Sequence, residues 1–211
     1  MRMIGVLLAL VLVGCEARET AGPLPEAGSG VLLSEGELRF FGESADSGTL
    51  KWVDARTFRL VGDGRGYAYT RESYRDFTLR LEFRWPDVES LADEARSEAN
   101  TGVLLFITGE PTIWPRCLEV QGKWTELGQI KSNARDVKVA ASEDDAARQR
   151  ARKPLGQWNT LEIVARDGAV RSTLNGVEIA ASEATQLREG PIGFQLERFN
   201  VEFRNVEIQA D

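Results

Sequence analysis

Apolar and polar residues alternate with a period of two along most of this chain, and that pattern predicts strands. From Asp76 to Trp85, Phe77, Leu79, Leu81 and Phe83 fall on one face, while Thr78, Arg80, Glu82 and Arg84 fall on the other. Trp158 to Arg166 repeats the pattern with Leu161, Ile163 and Ala165 inward. Asn200 to Gln209 carries Val201, Phe203, Val206 and Ile208, and Arg204-Asn205 breaks its alternation as a bulge does. Gly102 to Thr108 is nearly all apolar, which suits a central strand covered on both sides. Trp52 and Trp158 are expected in the core.

Turn residues separate these runs. Gly62-Asp63-Gly64-Arg65-Gly66, Asp167-Gly168 and Asn175-Gly176 suit tight reversals. The last two predict a meander of strands at 159–166, 169–174 and 177–180. Many short strands with turns between them predict an all-β sandwich of two antiparallel sheets. Two segments depart from the pattern. Asp87 to Ala99 is acidic and alanine-containing, so a loose or helical loop is expected there. Ser142 to Lys153 places acids early and bases late, the order that complements a helix dipole, with Ser142 as the expected N-cap. No internal repeat is visible.

The N-terminus bears on location. Met1-Arg2-Met3 is a short basic start, and Ile4 to Val13 is an apolar run too short to span a bilayer comfortably. It ends in Leu12-Val13-Gly14-Cys15, which resembles a bacterial lipoprotein signal box. Residues 1–14 are therefore expected to be a signal peptide and Cys15 the lipidated N-terminus of the mature chain. The expected location is the bacterial cell envelope, with Glu16 after the cysteine favouring the periplasmic face of the outer membrane. Residues 15–30, rich in Gly, Pro, Ala and Glu, read as a tether. Residues 31–211 form one domain's worth of chain.

Charge and composition exclude several functions. The formal net charge is −7 with no histidine, and loss of the leader removes one more cation, Arg2. A nucleic-acid partner is disfavoured, and the membrane is expected to be met through the lipid alone. Without histidine there is no Ser-His-Asp triad and no histidine zinc or iron site. No cofactor is expected. A divalent metal held by oxygen ligands stays open, although no Asp-rich calcium loop is visible. General acid and base work falls to Asp, Glu, Lys or Tyr. Cys117 lacks a basic partner for nucleophilic work and is expected to be a small buried group.

The candidate chemistry centres on Trp114-Pro115-Arg116-Cys117-Leu118-Glu119-Val120-Gln121. As a strand it puts Leu118 and Val120 on one face, Glu119 and Gln121 on the other. Trp114 and Arg116 extend that surface upstream. An aromatic ring, a guanidinium, a carboxylate and an amide suit a sugar, whose apolar face stacks while its hydroxyls hydrogen-bond. An ordinary half-exposed strand has the same pattern.

Taken in order, several segments resemble the 3-keto-disaccharide hydrolase family over about Leu50 to Ile208. Tyr74-Arg75-Asp76-Phe77-Thr78-Leu79-Arg80-Leu81-Glu82-Phe83-Arg84 is similar to its Y-x-D-F-x-L-x-x-E-F-R strand. Asn100-Thr101-Gly102-Val103 is similar to its N-S-G-V turn, with Thr in place of Ser. Pro115 to Gln121 resembles its P-x-x-x-E-x-Q segment. Trp158-Asn159, Leu174-Asn175-Gly176, Gly190-Pro191-Ile192-Gly193-Phe194-Gln195 and Val201-Glu202-Phe203-Arg204-Asn205-Val206 complete the series. The resemblance implies a concanavalin-like jelly roll, with short helical insertions here, acting on glycosides already oxidised to a ketone at C3.

A C3 ketone acidifies the C2 proton, and the resulting enolate expels the glycosidic oxygen from C1. Water can add back, so a lyase step becomes net hydrolysis. The site needs a base, a donor or cation for the C3 oxygen, and an acid for the leaving group. Glu119 is the first candidate for base or acid and Glu82 the second. Arg84 or Arg116 would stabilise the enolate. Asn100, Gln121 and Gln195 would hold hydroxyls, and Trp114 would stack on the ring. Lys123 and Lys131 are lower-ranked base or electrophile candidates. Glu82 equally fits a plain cross-strand ion pair. The same fold also serves non-catalytic carbohydrate-binding modules and structural or partner-binding lipoproteins.

Overall fold

The computed structural model describes residues 30–90 and 92–211. The expected signal peptide, Cys15 and tether lie outside the described residues, apart from Gly30. Among the described residues no helix is long and apolar enough to cross a membrane.

The chain starts with β1 (Val31–Leu32), β2 (Leu38–Gly42), β3 (Thr49–Asp54), β4 (Thr57–Val61), β5 (Arg65–Thr70) and β6 (Phe77–Arg84). A 3₁₀ turn at Val88–Ser90 and the short helix α1 (Asp93–Arg96) follow, then β7 (Gly102–Thr108), β8 (Arg116–Gln121), β9 (Ile130–Ser132) and β10 (Ala141–Glu143). Helix α2 (Asp145–Ala151) precedes β11 (Asn159–Arg166), β12 (Ala169–Leu174), β13 (Val177–Ser182), β14 (Gly193–Glu197) and β15 (Val201–Ala210). These strands form two antiparallel sheets. One runs β10-β13-β12-β11-β6-β15-β4-β3, with β1 added to β15; the other runs β2-β5-β14-β7-β8-β9. The architecture is thus the two-sheet β-sandwich that the alternation predicts.

The core lies between the sheets. Phe77, Leu79, Leu81 and Phe83 of β6 are all buried there, as are Leu161, Ile163 and Ala165 of β11. Phe58 of β4 and Phe203 of β15 meet Phe194 of β14 across the layers, each pair of rings 5.3 Å apart. A buried phenylalanine contributes about 2–3 kcal/mol, so this triad pins β14 firmly from beneath. Asp167 and Asn175 take positive φ in the two meander hairpins, as their turn type requires. The bulge in β15 sits at Asn205, φ 50°, where the register to β6 shifts between Arg204 and Glu207.

Three expectations need correction. The Gly62–Gly66 stretch is not a hairpin within one sheet: it carries the chain from β4 in one sheet to β5 in the other. Ser142 does not cap the helix, because it pairs with Ala181 in β10; Asp144 is the cap, accepting from the Ala147 amide at 2.8 Å. Trp158 is not core. It lies on the outer face of the larger sheet between the guanidiniums of Arg84 and Arg204, 4.5 and 4.0 Å from its ring centre.

Candidate functional site

Leu118 and Val120 are fully buried in the core, and this anchors β8 so that Cys117, Glu119 and Gln121 turn to the far face of the smaller sheet. Cross-strand register extends that face. Glu119 pairs with Lys131 on β9 and with Leu104 on β7, and Leu104 pairs with Gly193 on β14. Gly193 pairs with Tyr69 on β5, and Tyr69 with Arg39 on β2. A second row runs from Gln121 through Gly102 to Gln195, Tyr67 and Phe41.

The Glu119 side chain leans over Gly102. A Cβ at Gly102 would stand 2.5 Å from Glu119 Oε1 and 3.2 Å from Gln195 Oε1, so the glycine makes room for both. Glu119 is only 4% exposed and Gln195 only 3%. Burial dominates the carboxyl's chemistry and raises its pKa to about 7. A hydrogen bond from the Asn133 side chain and the charge of Lys131 pull the other way; the charges of Glu197 and Glu126 add to the rise. The carboxyl therefore exchanges its proton near neutral pH, the behaviour a general base or acid needs.

The surroundings are polar on one side. Asn100 donates through Nδ2 to Glu197 Oε2 at 2.8 Å, and Glu197 lies 3.9 Å from Arg65 Nε. Burial raises the Glu197 pKa, against the charges of Arg65, Arg198 and Lys123. Lys131 pairs with Glu126. On the other side the face is aromatic and aliphatic: Tyr67, Leu104, Ile107 and Cys117 form a cluster separate from the main core, with Phe41 and Tyr69 against it. Burial pushes the Cys117 thiol up to about 12, helped by the Glu119 charge, which suits an unreactive thiol.

Several polar atoms here make no hydrogen bond within the protein. Tyr67 OH, Asn100 Oδ1, Gln195 Oε1 and Arg65 Nε are buried without a hydrogen bond. Burial raises the Tyr67 phenol to about 12; the Thr112 backbone amide pulls slightly the other way without making a full hydrogen bond. An unpaired buried polar group costs about 1–3 kcal/mol, so four on one sheet face mark a surface suited to a hydroxyl-rich ligand. Among the described residues no three His, Cys, Asp or Glu side chains converge as a metal site.

Of the residues singled out in the sequence, Glu119, Gln195, Asn100 and Lys131 come together. Gln121 shares their face, but its amide oxygen accepts from the Gly122 and Lys123 backbone amides at 2.8 and 2.9 Å. Lys123 pairs with Glu98 at 2.8 Å. Arg116 sits at the start of β8, bound to Asp136 at 2.6 Å, and Trp114 is 47% exposed in the β7–β8 loop. Glu82 and Arg84 do not join the group. They lie on the outer face of the other sheet, where Arg204 and Asn205 hold Glu82, and Arg84 binds Glu202 at 2.8 Å. Burial alone would raise the Glu82 pKa; the hydrogen bonds of Arg204 and Asn205 prevail and lower it. This is the cross-strand ion pair, made with Arg204 of β15. Sequence reasoning missed Glu197, Arg65 and Tyr67. Their signal was alternation: Glu197 lies two residues past Gln195, and Tyr67 two past Arg65.

Comparisons with known proteins bear on the family and the fold. A family model described as the 3-keto-alpha-glucoside-1,2-lyase-like domain matches residues 32–209. No curated protein matches the chain. Among solved structures, a candidate glycosyl hydrolase from Parabacteroides distasonis is similar at 18% identity, TM-score 0.54, over 82% of this chain and 100% of its own. The carbohydrate-binding module CBM66 of Bacillus subtilis is similar at 13% identity, TM-score 0.54, over 82% of this chain and 96% of its own. A Bacillus subtilis protein of unknown function with a galectin-like fold reaches TM-score 0.59 at 14% identity, over 82% and 89%. At these identities the likeness shows the jelly-roll type of fold.

Proposed function

Since this chain belongs to the 3-keto-alpha-glucoside-1,2-lyase-like family, we propose that it cleaves the glycosidic bond of 3-keto-glycosides on the outer face of the smaller sheet. The observation that carries the reading is the buried Glu119 carboxyl over Gly102, beside the unpartnered Gln195 oxygen. Glu119 takes the proton from C2. The C2–H electron pair forms the enolate, and the C1–O bond then breaks to give an unsaturated ketone. Glu119, now carrying the proton, hands it to the leaving oxygen. Water added across C1 and C2 completes net hydrolysis. Lys131, across from Glu119 in register, offers positive charge to the enolate oxygen. Gln195 and Asn100 take sugar hydroxyls with their free acceptor oxygens. An envelope location through a lipid on Cys15 belongs to the same proposal and rests on the sequence of residues 1–15 alone.

A non-catalytic binding module is the second reading, and the shared fold with the Bacillus subtilis module favours it. The test is release of a chromogenic leaving group from a 3-keto-glucoside, beside the unoxidised glucoside and the Glu119→Gln variant. Release from the ketone alone, lost in the variant, supports elimination with Glu119 as base. Sugar binding with no release moves the reading to a binding module.

A further inference from the structure

The face around Glu119 is divided, and the division points to the leaving group. The row through Gly102, beside that of Glu119, continues past Gln195 to Tyr67 on β5 and Phe41 on β2. The Phe41 and Tyr67 rings lie 5.5 Å apart, as do those of Tyr67 and Tyr69, so three rings form one strip. Strands sit about 5 Å apart, so the strip begins about 10 Å from Gly102 and ends about 15 Å away at Phe41. A sugar ring held over Gly102 and Gln195 with C1 toward β5 has this strip under the group attached there. The strip offers that group little polar company: its one buried unpartnered atom is Tyr67 OH, and Leu104 and Ile107 flank it. A second sugar ring would lay several hydroxyls over ring faces, with only the Tyr67 and Tyr69 hydroxyls and Arg39 at the edge to meet them. A flat apolar ring with one polar substituent would leave none unpaired.

Resting on the reading above, we infer that the strip Phe41–Tyr67–Tyr69 is the leaving-group subsite and selects an aromatic aglycone over a second sugar. Phe41 and Tyr69 are half-buried, so each has ring surface left to cover. Tyr67 lies beneath them and supplies the hydroxyl. These are specificity residues; none of them takes part in the proton transfers.

The test compares the full chain on 3-keto-glucosides carrying 2-phenylethyl, methyl or glucosyl leaving groups; the phenylethyl and methyl alkoxides are of similar basicity, and the glucosyl one is the better leaving group, which works against the expected preference. The expected result is a kcat/KM about tenfold higher for phenylethyl than for methyl or glucosyl, carried mostly by KM. In Phe41→Ala and in Tyr69→Ala that ratio falls to about one to three, with Tyr69→Phe keeping it. Two separate variants, each checked for a cooperative melt, guard against one misfolding. A glucosyl substrate that is preferred, or as sensitive to Phe41→Ala as the phenylethyl one, overturns the inference. If no ketone substrate turns over, the cleavage reading fails, and binding of 2-phenylethyl glucoside against methyl glucoside decides the strip. Tighter phenylethyl binding lost in Phe41→Ala keeps the subsite, and equal binding overturns it.

Discussion

Replacing Glu119 by Gln should make the protein more stable, and only at neutral and alkaline pH. The folded carboxyl titrates at about 7 against an ordinary 4.5, chiefly because it is buried. Its pKa is raised, so the folded state holds a proton that the unfolded chain releases between those values. Wild-type stability therefore falls as pH climbs from about 4.5 to 7 and levels off above it. At about 1.4 kcal/mol per pH unit, the full gap corresponds to about 3 kcal/mol, an upper bound if the site relaxes around the charge. Gln resembles the protonated acid in shape and cannot ionise. The two proteins should match at pH 5 and diverge to as much as about 3 kcal/mol by pH 8, or about 6–12 °C in Tm for a body of this size. Melting both from pH 4.5 to 8.5 reads this directly, since every other titrating group is common to both. A difference that is flat with pH, or one that grows toward acid, would refute the claim that Glu119 is a buried carboxyl poised near neutrality. This measurement needs no substrate, so it tests the site's electrostatics separately from its chemistry.

Other perturbations probe neighbouring parts. If Glu119 is the base, kcat/KM on a 3-keto-glucoside should rise with pH through about 7, and Glu119→Gln should lower it by about 10²–10⁴. Gly102→Ala places a methyl 2.5 Å from Glu119 Oε1; the carboxyl must move, and turnover should fall by about 10²-fold while the melt stays cooperative. Glu82→Gln should leave turnover intact and cost about 1 kcal/mol by loosening its pairing with Arg204 and Asn205. That loss should fade as pH drops through the carboxylate range, because the Glu82 pKa is lowered in the fold. Cys117 should resist a thiol-reactive dye at pH 8 in the native protein and react only on unfolding.

Strands with one wet face were legible in the sequence, because alternation is a local signal: β6, β11 and β15 follow their predicted faces, and the Arg204-Asn205 bulge was visible as a break in period. The outward-facing place of Glu119 on β8 was legible for the same reason. Glu82 shows the identical alternation but stands on the other sheet, and nothing local says which sheet's outer face a strand will present. That depends on strand order, which places β6 between β11 and β15 and β8 between β7 and β9. The helix cap went to Asp144 and not to Ser142 because tertiary pairing of β10 with β13 claimed Ser142 first. Glu197 and Tyr67 become neighbours of Glu119 only through pairings across about ninety to 130 residues, beyond the reach of any sequence window.

The position of β14 also governs when the site can exist. It inserts between β5 and β7, yet it follows both of them late in the chain, after β8 to β13 have been made. Until it arrives, the facing edges of β5 and β7 have open backbone groups and an uncovered apolar face, the state most open to mispairing with other chains. Gln195 and Glu197 come with that strand, so a nascent or truncated chain holds Glu119 without its neighbours. Catalytic competence should then appear in one late step during refolding, which makes turnover a reporter of sheet closure.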